Sequence, residues 1–213
     1  MADNVQLRTY VFIDSMQPQF AAFMASVASG YLPIEGQAAL YVEIAPGMEI
    51  NRLMDRALKA TKVTPAEQIV ERQYGMLELH ADDQAEVRQA GLAILDALGK
   101  KEEDRIKPKV VSHQIIRKVD DHQAMLINRS GRKGMMLIAK QTLFILETYP
   151  AGYAVIAANE AEKAANINVV IIRPTGAFGR VYLAGEEADV MVAAEAALKA
   201  IEGINGIVEE RRG

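Results

Sequence analysis

No cysteine occurs anywhere in this chain of 213 residues. Disulfides, thiolate metal sites and cysteine nucleophiles are therefore excluded. Long apolar runs are missing too. None reaches the ~18 residues of a membrane-spanning helix, because Lys140, Gln141 and Glu147 interrupt the longest candidate. There is no excess of positive charge: 24 Lys plus Arg stand against 28 Asp plus Glu, for a net charge of −4. That balance lacks the global basic field used to bind nucleic acid. The opening segment "MADNVQLRTY" has no basic flank followed by an apolar stretch, so it does not read as a secretory signal. No Walker loop, "GxGxxG", "GxSxG" or "HExxH" is present. The three histidines, His80, His113 and His122, are scattered without metal-ligand spacing and read as structural or surface residues. The expectation is a soluble cytoplasmic protein with no cofactor, no metal, no catalytic pair, no nucleic-acid partner and no membrane.

What is present is apolar material for a core. Half of the residues are hydrophobic and 24% are charged, which suits one domain or two small ones. An internal repeat decides between these. Lys59 and Lys163 lie 104 residues apart (163 − 59 = 104). The same offset aligns Gln19 with Gln123, Gly30 with Gly134, Gln37 with Gln141, Glu43 with Glu147 and Pro46 with Pro150. It also aligns Gly75 with Gly179 and Leu79 with Leu183, with no insertion between. Two domains follow, residues 1–104 and 105–213, joined near the charged, proline-bearing "GKKEEDRIKPK" at 99–109.

Each half repeats one pattern. "LRTYVFI" and "AALYVEIA" read as strands, the second ending at Pro46-Gly47. Between them "QPQFAAFMASVAS" reads as a helix or turn. "MEINRLMDRALKAT" spaces Ile50, Leu53, Met54, Ala57 and Leu58 as an amphipathic helix does. "EQIVERQ" and "YGMLELH" read as a hairpin, and "QAEVRQAGLAILDAL" as a second helix with Val87, Ala90, Leu92, Ile94 and Leu95 on or near its buried stripe. The fold class is α+β: two tandem units, each a small antiparallel sheet with flanking helices.

Within the second half, "ETYPAGYAVIAANEAEKAANINVVIIRPTGAFGRVYLAGEEADV" resembles the core of a bacterial microcompartment shell domain, related to the ferredoxin-like arrangement. It has a strand, a helix with a lysine before small residues, a strand, a glycine-bearing loop, a strand and a helix start. Strand-like segments precede this core in both halves, as in the circularly permuted version of the domain. The whole chain resembles the tandem, trimer-forming shell proteins, and among them the permuted carboxysome type with a gated pore.

That resemblance implies a homotrimeric pseudohexagonal tile, able to stack face to face, packed beside other hexameric and pentameric shell proteins. Small metabolites would cross its central pore. It implies a pore and gate formed by Glu71, Arg72, Gln73 and Gly75 of the first domain and by Thr175, Gly176, Ala177, Phe178 and Gly179 of the second. Lys59 and Lys163 take the tile-edge position. Taken by themselves, Glu71 and Arg72 read as a solvated turn, Lys59 and Lys163 as helix-end lysines, and Phe178 with Tyr74 as packing beneath a loop. The glycines 75, 176 and 179 are expected to let the backbone turn sharply near the axis. A duplicated α+β sensor, binding a small molecule between subunits, is the alternative function.

Overall fold

The computed structural model describes residues 5–209. Each half contributes one four-stranded antiparallel sheet. In the first, β1 (Gln6–Ile13), β2 (Ala38–Ala45), β3 (Thr64–Glu71) and β4 (Tyr74–Ala81) lie in the order β1-β2-β4-β3. In the second, β5 (Lys109–Ile116), β6 (Thr142–Tyr149), β7 (Asn168–Arg173) and β8 (Gly179–Gly185) lie in the order β5-β6-β8-β7. The helices are α1 (Pro18–Val27), α2 (Ile50–Ala60) and α3 (Gln84–Leu98), then α4 (Asp121–Ser130), α5 (Ala154–Ala164) and α6 (Glu187–Glu202). The α+β reading from sequence is what the chain adopts.

Local chemistry sets the boundaries. Asp83 caps α3 by accepting the Ala85 N–H, and Gly99 ends it at φ +63°, a left-handed stop that glycine adopts without strain. Pro18 opens α1, where its missing N–H costs nothing. No side chain of α1 caps it. Instead the Gln19 and Phe20 N–H groups donate to the two oxygens of Glu162, on α5 of the other domain, at 2.7 and 2.8 Å. A helix of the first domain is thus completed by a carboxylate of the second.

The repeat register needs one correction. From Gly30 onward the halves superimpose at an offset of 104, but β1 and β5, and α1 and α4, are related by 103 (109 − 6; 121 − 18). One extra residue lies in the second half between the end of α4 and Gly134, where residues 131–133 stand against 28 and 29. Gln19 therefore corresponds to His122, and its match with Gln123 was a coincidence of sequence. A second correction concerns α3. Leu92 is 57% exposed, because the buried stripe runs through Val87, Ala90, Gly91, Ile94, Leu95 and Leu98.

The two sheets differ in what covers them. The inner cluster of the first domain joins Leu7, Leu40, Val42, Leu77 and Leu79 to α2 and α3. Its opposite face, with Val11, Ile13, Tyr41 and Met76, enters a second cluster with Phe20, Phe23 and Met24 of α1 and with Phe144, Tyr153 and Val169 of the second domain. β2 is consequently buried along almost its whole length. β5, the counterpart of β1, is exposed over most of its length. The linker is also more structured than its charge suggests. Ile106 is buried and bridges to Ile207, and the Tyr153 hydroxyl donates to its carbonyl at 2.6 Å.

Phe20 lies at the centre of the shared cluster, fully buried and edge-on to Tyr41 at 6.2 Å. Phe20→Ala is expected to destabilise the chain by about 3–5 kcal/mol, measured as a shift in the urea midpoint. A loss below ~1 kcal/mol would show that the halves do not depend on this contact.

Candidate functional site

The β3–β4 hairpin closes between Glu71 and Tyr74, which pair across the ladder, so only Arg72 and Gln73 form the turn. Two-residue turns favour residues that accept positive φ. Here Arg72 takes that role, at φ +56°, a backbone region a long side chain rarely occupies. Glu71, Arg72 and Gln73 are all exposed. Among the described residues Glu71 and Arg72 enter no ion pair. Gln73 donates to the Tyr74 hydroxyl at 2.9 Å.

In the second domain the equivalent hairpin is cut short. Pro174 follows β7 and has no N–H for the ladder, so the strand stops at Arg173, which pairs with Arg180. Thr175, Gly176, Ala177 and Phe178 form a wider loop, with Gly176 at φ +101°. Phe178 is 42% exposed and rests edge-on against Tyr149 at 6.2 Å. The two loops meet: a Cβ on Gly176 would lie 3.5 Å from Glu71 Oε1. Together they rim a cleft of about 640 Å³, floored by Tyr41, Met76, Glu78 and Ile172.

Gly75 and Gly179 work otherwise than expected. Neither has positive φ; Gly176 alone of the three turns through that region. A Cβ on Gly75 would collide with the Gly47 carbonyl oxygen, and one on Gly179 with that of Ala151. These glycines let the start of β4 and of β8 press against the short turns after β2 and β6. They fix where each loop leaves the sheet.

Beneath the loops lies a buried polar network that sequence reasoning missed. Arg8 and Glu43 form an ion pair at 3.2 Å, both 2% exposed. Glu43 also accepts the Thr9 hydroxyl at 3.0 Å and, across the domain boundary, the Gly152 N–H at 3.2 Å. Burial pushes its carboxyl above the ordinary range, against the pull of Arg8 and these donors. The signal was one arginine inside the apolar run "LRTYVFI" and one glutamate inside "LYVEIA", on neighbouring strands. The second domain repeats half of this device. Ser112 donates to Glu147 at 3.0 Å, yet Glu147 is held by Arg180 at 2.8 Å, and Ser112 is exposed.

Lys59 and Lys163 sit in the last turns of α2 and α5, exposed and paired with Asp55 at 2.7 Å and Glu160 at 3.9 Å. Neither lines the cleft between the two loops. Of the histidines, His80 is buried against Glu78 at 3.1 Å, while His113 and His122 are exposed. No group of three or more potential metal ligands occurs among the described residues, and no helix there is long and apolar enough to cross a membrane.

Duplicated permuted domains with paired hairpin loops at one junction define a tandem shell protein, and comparison with known proteins agrees. Residues 7–104 match the family model described as the CsoS1D N-terminal domain, and residues 142–211 match the BMC domain. The carboxysome shell protein CcmP of Synechococcus elongatus is 54% identical over 95% of both chains. The carboxysome shell protein CsoS1D of Hydrogenovibrio crunogenus is 50% identical over 93% of this chain and 97% of its own. Among solved structures, a fused permuted hexameric shell protein of the RMM microcompartment superimposes with a TM-score of 0.90 at 42% identity, covering 94% of this chain and all of that one. A double-ringed trimeric shell protein of the same microcompartment gives 0.92 at 39% identity, covering 97% of this chain and all of that one. The chain belongs to the bacterial microcompartment shell proteins, in the tandem-domain branch that includes the carboxysome proteins CcmP and CsoS1D.

Gly75→Ala is expected to lower stability by about 1–3 kcal/mol, because the clash is with backbone. Thermal melting followed by circular dichroism measures it. An unchanged midpoint would mean that the hairpin foot is not fixed by this contact.

Proposed function

We propose that three copies of this chain close into a pseudohexagonal ring of six domains whose central pore is gated by Glu71 and Arg72. One observation carries the ring: each domain offers the same contact surface, and the single chain satisfies it once. Glu43 of the first domain, which also accepts the Thr9 hydroxyl, accepts the Gly152 N–H of the second. Their counterparts Ser112 and Glu147 receive nothing from the first domain among the described residues. The residue equivalent to Gly152 is Met48, 71% exposed. Likewise Phe23 of α1 is buried in the chain, whereas its counterpart Leu126 on α4 is 63% exposed. A surface that is used head to tail and stays open at both ends adds further copies, and closes into a ring when the rotation between domains allows it, as in the fused permuted hexameric relative. With two domains per chain, three chains complete a six-membered ring.

In that ring the Glu71–Arg72 hairpins alternate with the neutral Thr175–Phe178 loops about the axis. A closed state pairs Glu71 of one copy with Arg72 of the next; an open state swings one charge into water. Partly exposed ion pairs contribute only ~0–1 kcal/mol each, so neither state is overwhelmingly favoured, and three weak pairs broken together make a two-state gate. The charge left in the lumen selects among metabolites as charged rings do in channels. The role is structural and conductive, with no catalytic step assigned. Lys59 and Lys163 lie across neighbouring tiles, beside other hexameric and pentameric shell proteins. Face-to-face stacking is supported by the similarity to the double-ringed relative. A sensor would share the duplication but would stop at a discrete oligomer.

Glu147→Lys is expected to reduce a trimeric native mass to that of single chains, read by light scattering; a variant that stays trimeric removes the proposed contact. Glu71→Ala combined with Arg72→Ala should keep the ring and leave the axis open in a density map, and a plugged axis contradicts the gate. Lys163→Asp should abolish sheets seen by negative-stain microscopy while the fold survives. Unchanged sheets would refute the edge assignment.

A further inference from the structure

Arg8 is an expensive residue to keep in its place. Its guanidinium is 2% exposed, and one of its nitrogens, Nη2, is buried without an acceptor among the described residues. Replacing a buried ion pair by apolar groups of similar size is often neutral or stabilising, and an unmet donor adds to the cost. Stability alone therefore gives little reason for an arginine here. Its contacts point elsewhere. Cζ lies 3.7 Å from the centre of the Tyr74 ring and 5.1 Å from that of Tyr149, whose hydroxyl accepts from Nη1 at 3.4 Å. Tyr149 in turn packs edge-on against Phe178.

Tyr74 and Phe178 occupy matching positions at the ends of the two loops (178 − 74 = 104). Tyr74 is also the ladder partner of Glu71. One buried cation thus grips the foot of the first loop directly and reaches the foot of the second through one ring. Its other fixed point is Glu43, tied to Gly152 across the domain boundary. The counterpart of Arg8 in the second half is Val111, which is 45% exposed, so the second half carries no matching grip.

We propose that Arg8 is a positioning residue for the gate: it clamps the Glu71–Arg72 hairpin through Tyr74, couples it to the Thr175–Phe178 loop through Tyr149, and so sets the balance of open and closed pores. This rests on the gated-ring reading above. In closed rings the clamp holds Tyr74 and the hairpin leaves the sheet along a fixed path. Without it the hairpin foot is free, and the two loops move separately.

The test counts open and closed rings among cryo-EM particles of the purified full-length protein. Tyr74→Leu removes the face on which the cation rests and leaves the Arg8–Glu43 pair intact; Arg8→Met removes the cation. Each is expected to change the open-to-closed ratio by at least about threefold, the scale of one lost cation–π contact, with the ring retained. Tyr74→Phe keeps the ring face and should restore a near-native ratio. Arg88→Met deletes another arginine-on-ring contact, 3.8 Å above Phe12 and away from the loops, and should leave the ratio unchanged. Should Arg8→Met fail to fold, Tyr74→Leu decides. A native ratio in Tyr74→Leu, or an equal change in Arg88→Met, overturns the assignment of Arg8 while the gate stands. If wild type and the Glu71→Ala, Arg72→Ala variant show the same axis, the gate fails and this inference falls with it.

Discussion

The Glu43 carboxylate is the point on which the two domains turn. It is buried, charge-paired with Arg8, and shared between the Thr9 hydroxyl and the Gly152 N–H of the other domain. An isolated carboxylate would not survive there, because desolvation costs several kcal/mol unless hydrogen bonds and an opposite charge offset it. The contact therefore forms only when both domains are docked in one arrangement. Apolar packing supplies the bulk of the stabilisation through the shared cluster around Phe20 and Tyr153. The carboxylate supplies the register. Glu162, which caps α1 from across the boundary, performs a similar service.

The same contact is made once within the chain, and the counterpart surface on β5 is left uncovered. The chain's β1 face is covered and its β5 face is open. Duplication places two copies of one contact surface in a single chain, and the Gly152–Glu43 contact satisfies one of them internally. It also freed the two copies to diverge at the loops that meet across the domain boundary. One loop became a tight hairpin carrying opposite charges, with Arg72 held in an unfavourable backbone region. The other became a wider neutral loop after Pro174.

Much of this was legible in the chain, and the physical reasons are uneven. Strand alternation and helix spacing marked the four strands, α2 and α3 of the first half, since one apolar face per element is a strong constraint on sequence. The α1 segment read only as helix or turn, and α4 went unmarked. The duplication was visible because identical packing needs recurred at one offset. The slip from 104 to 103 was hidden, since an exposed loop tolerates one extra residue without trace. The burial of Arg8 and Glu43 was hidden because pairing across strands depends on register, and a charge in an apolar run looks the same whether it faces water or a partner. Gly75 and Gly179 were found but given the wrong cause: a glycine demanded by close approach and one demanded by positive φ are identical letters. Leu92 followed helical spacing yet faces outward, because spacing alone does not say how wide the covered stripe is.

The most direct measurement is a side-chain-resolution cryo-EM map of the purified protein, reconstructed without imposed symmetry. The account predicts a threefold ring with the Arg72 side chains converging on its axis and Glu147 of each chain within hydrogen-bond distance of the Met48 N–H of the next. Isolated chains, or a ring whose Glu71–Arg72 hairpins lie on the outer rim, would contradict it.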